Sequence, residues 1–122
     1  METARRGDLD GAIPAIRRVL DDYFESGQLG YVAAFTAFLV EMLLARGAEG
    51  DLAETQSAID RAARLPADEG LVLRDLYLLR LRALLARARG DEAAYRDLAE
   101  RYRAMAESLG FEGHIAMAEA MV

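Results

Sequence analysis

Few side chains in this chain of 122 residues could move protons, hold a metal or attack carbon. The only histidine is His114, in GFEGHIAMAEA. As a metal ligand or general base it needs an ionisable group on the same face. Its nearest acids, Glu112 and Glu119, stand two and five residues away, spacings that a helix does not bring to one side. His114 therefore reads as a polar residue near the start of a helix. There is no cysteine, which removes thiolate metal sites, thiol nucleophiles and disulfides. No serine sits in a nucleophile motif. No GxGxxG loop occurs, and GxxxxGK[ST] is impossible in a chain whose 15 basic residues are all arginine. A chain without catalytic residues, cofactor or metal is the expectation.

What remains is charge that could bind. Asp21, Asp22 and Glu25 cluster near a helix end, where acids oppose the dipole. With Arg17 and Arg18 one turn back they read as a solvated face rather than a docking patch. The stretch Leu73 to Gly90 holds Arg74, Arg80, Arg82, Arg87 and Arg89 against Asp75 alone. At the helical step Arg74, Arg82 and Arg89 fall within about 80° of one another, and Arg80 and Arg87 form a second row. Such rows could hold a phosphate or an acidic peptide, unless Asp75, Asp97 and Glu100 cancel them. Arg74, Arg82 and Arg89, with Tyr31 and Tyr77, are the candidate partner-binding residues.

The net charge of −6 disfavours nucleic acid, whose affinity comes mainly from neutralising phosphates. The most apolar run, Tyr31 to Ala45, is too short to span a bilayer and contains Glu41, so it reads as a buried helix. METARRGD lacks the apolar segment of a signal peptide. A cytoplasmic chain with no membrane partner is expected.

The elements that must position these residues are punctuated by Gly-Asp at residues 7-8, 50-51 and 90-91, each after an Ala-Arg that closes a helical segment. Glycine accepts the left-handed conformation after a helix, and aspartate can cap the next one. Each pair therefore predicts the corner of a helical hairpin. Tyr95, Leu98, Tyr102, Met105 and Leu109 give an apolar stripe on a helix from about Glu92 to Leu109. Leu9, Ile13, Ile16, Leu20, Tyr23 and Phe24 give another that ends near Gly27; because of Pro14 it either begins near Gly11 or is kinked. Leu52, Ile59, Ala62 and Ala63 mark a third, ending at Leu65-Pro66. Leu29 to Arg46 and Leu71 to Arg89 are apolar on most sides, and Phe111 to Met121 reads as a C-terminal capping helix. No segment alternates like a strand. The expected fold is all-α, a single domain over residues 1–122 of stacked antiparallel hairpins, an α-solenoid of about six helices. Only Met1 to Arg6 precede the first corner, which leaves Leu9 and Ile16 short of cover and predicts a homo-oligomer through the N-terminal edge.

GDLDGAIPAIRRVLD, Gly7 to Asp21, resembles the second helix of a tetratricopeptide repeat, with Ala12 and Ile13 in the slots that pack on the first helix. The Ala slot is Thr55 after Gly50 and Tyr95 after Gly90. Leu73 to Met121 resembles the C-terminus of large actinobacterial proteins that join a class III adenylate/guanylate cyclase domain to an AAA-type ATPase domain and then to tetratricopeptide-like repeats. The resemblance implies a regulatory, protein-interaction module whose partner is a protein, a peptide or a neighbouring domain of the parent. The cyclase aspartates and phosphate loop of that family have no counterpart here. The alternative is the small-molecule effector-sensing domain of an ATP-dependent transcriptional regulator, though no helix-turn-helix is present.

Overall fold

Alanine, leucine and arginine, all strong helix formers, fill much of this chain, and every regular element among the described residues is a helix. The computed structural model describes the backbone of residues 2–65 and 72–121, with side chains from Asp8 in the first span and from Leu73 in the second. The chain forms two compact units, Met1–Pro66 and Ala67–Val122.

The first unit holds α1 (Glu2–Ser26), a single 3-10 turn (Leu29–Tyr31), α2 (Val32–Arg46) and α3 (Asp51–Ala63). The second holds α4 (Val72–Ala88), α5 (Glu92–Leu109) and α6 (Glu112–Met121). In each unit the middle helix packs on both others, α2 on α1 and α3, and α5 on α4 and α6. The fold class is therefore all-α, with six α-helices among the described residues.

Two of the three Gly-Asp pairs are corners. Gly50 has φ of +86° and Gly90 has φ of +80°, the left-handed region that a Cβ disfavours. Asp91 caps α5 as expected, its carboxylate accepting from the Ala94 N–H at 3.1 Å. Asp51 does something else. It is buried, and it accepts from the Ala48 N–H at 2.9 Å and from Arg46 Nε and Nη2 at 2.9 and 2.6 Å. It thus ties the end of α2 to the start of α3 from inside the turn. Arg46 also reaches Asp10 Oδ1 on α1 at 3.1 Å.

The third corner is a correction. Gly7-Asp8 lies inside α1, which runs unbroken from Glu2 to Ser26. A glycine inside a helix costs only about 1 kcal/mol, which a helix of 25 residues absorbs. Pro14 also sits inside α1, so the helix does not begin near Gly11. Both signals were local, and the helix overrides both.

In the first unit Ile13, Leu20, Val32, Val40, Leu43 and Ile59 are buried. In the second the core is Leu76, Tyr102, Ala106 and Ala118. The buried line on α5 is Ala99, Tyr102 and Ala106, so Leu109 at the end of the expected stripe is exposed. Alanines flanking one tyrosine let α4 and α6 approach closely. Leu52, expected to face inward on α3, is exposed as well, and Asp51, Thr55, Ile59 and Ala62 take the inner face.

Candidate functional site

In the first unit Arg17, Leu20, Asp21 and Phe24 stand one turn apart along α1 and face Glu54, Ser57, Ala58 and Arg61 of α3 across Thr36 and Leu39 of α2. These residues line a groove of about 240 Å³. Leu20, Leu39 and Thr36 are buried beneath it. Two ion pairs cross from α1 to α3. Arg17 donates from Nε and Nη2 to the Glu54 carboxylate at 2.6 and 2.5 Å, a two-bond fork. Arg61 Nη1 donates to Asp21 Oδ1 at 2.6 Å, and its guanidinium lies 3.9 Å above the Phe24 ring. The Glu54 hydrogen bonds hold the Arg17 guanidinium above its ordinary pKa. Likewise Arg46, by its hydrogen bonds, holds the Asp51 carboxyl below the usual carboxylate value. The result is an apolar floor under a rim of alternating, compensated charge.

Thr55, in the slot where a tetratricopeptide repeat would carry alanine, is fully buried, and its hydroxyl has no hydrogen-bond partner among the described residues.

In the second unit His114 stands near the start of α6, as expected, and is buried there. Its Nδ1 lies 2.6 Å from the Tyr102 hydroxyl, and the rings of Tyr77, Tyr102 and Phe111 meet it edge-on at 4.9, 5.7 and 6.3 Å. Burial, and then the positive charge of Arg80, push the His114 pKa down. Burial pushes the Tyr102 hydroxyl up to about 12. The phenol and the imidazole are thus both neutral at ordinary pH, and the bond between Tyr102 Oη and His114 Nδ1 takes its direction from the imidazole tautomer. At the other end of α6 the Tyr95 hydroxyl donates to the Met121 carbonyl at 2.7 Å. Two tyrosines of α5 therefore hold the start and the end of α6. No group of three or more His, Asp or Glu among the described residues could hold a metal ion.

The residues singled out from sequence separate. Arg82, on α4, and Arg89, in the turn just after it, are exposed and, seven residues apart, fall on one side at the helical step. Arg74 is buried, at 7 % exposure, and donates from Nε to Asp75 Oδ1 at 3.0 Å. It falls in register with Leu78, Leu81 and Leu85, the inner face of α4, which takes it off the expected contact surface. The second arginine row is used internally. Arg80 faces the Tyr102 and His114 pair, and Arg87 sits 5.3 Å from the Tyr95 ring centre. Asp97 and Glu100 pair with Arg101 and Arg103 of their own helix and not with α4. Tyr77 is half-buried against His114, whereas Tyr31, in the other unit, is 59 % exposed and stacks on Tyr23 at 5.4 Å. Leu9 and Ile16, the expected N-terminal edge, are half-buried.

Sequence reasoning missed the groove. Arg17 and Glu54 are 37 residues apart and Asp21 and Arg61 are 40 apart, so no local spacing announces them. The acids read as a solvated face include Asp21, which belongs to the groove's rim. Comparison of the chain with protein-family models, with curated proteins and with solved structures finds no match.

Proposed function

We propose that this chain is a non-catalytic recognition module, a tetratricopeptide-like helical stack serving as the regulatory, interaction end of a cyclase and ATPase type of cytoplasmic signalling protein. The α1–α3 groove is where the first unit takes a partner segment. The observation that carries this reading is the groove's construction, an apolar floor of Leu20 and Leu39 under two ion pairs that link α1 to α3. Partly exposed ion pairs are worth about 0–1 kcal/mol each, so an incoming segment can displace their geometry at small cost while its apolar side chain gains the floor. Enclosing a small molecule takes a cavity of roughly 300–1,000 Å³. A groove of about 240 Å³ open to solvent suits one or two side chains of a protein or peptide better than an enclosed effector. Arg82, exposed on α4, Arg89, exposed in the turn after it, and Tyr31 are further contact residues in this reading.

Ser57 is exposed and lines the groove, so Ser57→Trp fills it without touching the buried core. Peptides selected by the wild-type chain from a displayed random library should carry apolar residues and lose binding to S57W, while the helical circular dichroism signal is retained. Peptides that bind S57W as tightly as wild type would sink the groove reading. Stabilisation of wild type, but not S57W, by a small molecule in a thermal-shift panel, with no peptide selected, would move the assignment to effector sensing.

A further inference from the structure

The stretch Leu29–Arg46 has a mean hydropathy of 1.5 over 18 residues, yet only 39 % of it is buried. The inner face of α2, including Val32, Thr36, Leu39, Val40 and Leu43, is consumed by the core of the first unit. The outer face carries Tyr31, Phe35, Phe38, Met42 and Ala45, at steps of four, three, four and three. Tyr31 is 59 % exposed and Phe38 is 48 % exposed. Their rings are linked into one strip: Tyr23 lies 5.4 Å from Tyr31 and 5.3 Å from Phe35, and Phe35 lies 5.7 Å from Phe38.

We infer that this strip is the surface through which a second copy of the chain docks, α2 against α2. The spacing of the apolar residues is that of a two-helix seam, in which each side chain enters a hole on a facing helix. Charge selects which helix. The chain carries −6 overall, so most of its surface repels a second copy, whereas residues 29–45 hold one charge, Glu41, which already has an interaction within the chain. A two-fold contact sets the same strip against itself, and this is the face on which two copies meet with the least repulsion. A lipid surface would also take apolar rings, but helices that lie on membranes carry lysine and arginine along their polar face, and the only basic residue of α2 is Arg46, committed to Asp51 and Asp10. Tyr31 and Phe38 together expose roughly 200 Å². Two such strips fall well short of the roughly 1,200 Å² of a stable interface, so the dimer is weak and forms with rising concentration.

Sedimentation equilibrium from about 10 μM to about 1 mM, the range where weak dimers form, should show the average mass rising toward twice that of the chain. Phe38→Glu should weaken association at least about ten-fold, and Leu52→Glu, on an exposed side chain of α3, should leave it unchanged. Because the chain has no cysteine, Phe38→Cys can form a disulfide only between copies. It should cross-link under mild oxidation far faster than Leu52→Cys, and it decides the matter if F38E fails to fold. A wild-type monomer over the whole range, association that survives F38E, or equal cross-linking of F38C and L52C would overturn the inference. So would F38E-sensitive binding to phosphatidylcholine vesicles without self-association, which would give the strip to a lipid surface.

Discussion

His114 is a base placed where its charged form is least welcome. It is buried among three aromatic rings, shares a hydrogen bond with the Tyr102 hydroxyl, and feels the positive charge of Arg80. Protonating the imidazole puts a charge in a site that burial has taken from water, with the positive charge of Arg80 opposing it. The direction of the resulting pH dependence follows from linkage. The unfolded chain titrates His114 near its ordinary value of about 6.5, and the folded chain below that, so the unfolded state takes up the proton first. The stability this residue contributes is whole above about 6.5 and is lost as the pH falls from there through the folded value. Urea unfolding at about pH 7.5 and about pH 5.5 should give a lower midpoint at the acidic value. In His114→Gln, which does not titrate, the difference should shrink. A midpoint gap as large in H114Q as in wild type would assign the effect to other groups.

At the scale of elements, the backbone of one glycine type carries opposite meanings at different places. Gly90 turns the chain from α4 into α5 at φ of +80°, and a Cβ added there meets nothing within 4 Å. The penalty of Gly90→Ala is therefore one of backbone conformation alone, about 1–2 kcal/mol of lost stability. Gly11 lies within α1, where an added Cβ also meets nothing. There alanine removes the entropy cost of glycine in a helix, and Gly11→Ala should gain about 0.5–1 kcal/mol. Thermal melts of the two variants against wild type measure both, and equal signs would contradict the assignment. The contrast also marks what could be read in advance. The corners at Gly50 and Gly90 were legible because glycine, aspartate and the ends of two apolar patterns coincide there. Gly7-Asp8 carries the same dipeptide with a continuing helix on either side, and the dipeptide alone does not distinguish the cases.

At the scale of the whole molecule, ion pairs that run along one helix and ion pairs that join two helices answer differently to salt. Among the described residues of the second unit, Arg96–Glu92, Arg101–Asp97 and Arg103–Glu107 link positions four apart along α5. Such pairs follow from spacing and could be read in the sequence. In the first unit Arg17–Glu54, Arg61–Asp21 and Arg46–Asp10 join different helices. Nothing short of the fold reveals them, which is why the groove they cross was illegible while the helices beneath it were not. Their arrangement has a measurable consequence. Salt screens partly exposed charges, with a Debye length of roughly 10 Å at 0.1 M and shorter above it. In the second unit screening of these pairs removes a few tenths of a kcal/mol of helix support from α5. In the first it weakens the ties that hold α1 and α3 at a fixed separation over Leu20 and Leu39. Raising sodium chloride from about 0.05 M to about 0.5 M should therefore speed hydrogen exchange in α1 and α3 a few-fold, and in α5 less. The same measurement on Glu54→Gln should show the low-salt exchange rates of α1 and α3 already raised and their salt response reduced. A salt response in α1 and α3 no larger than that of α5, or an unchanged response in E54Q, would mean that the crossing pairs do not set how firmly the groove is held.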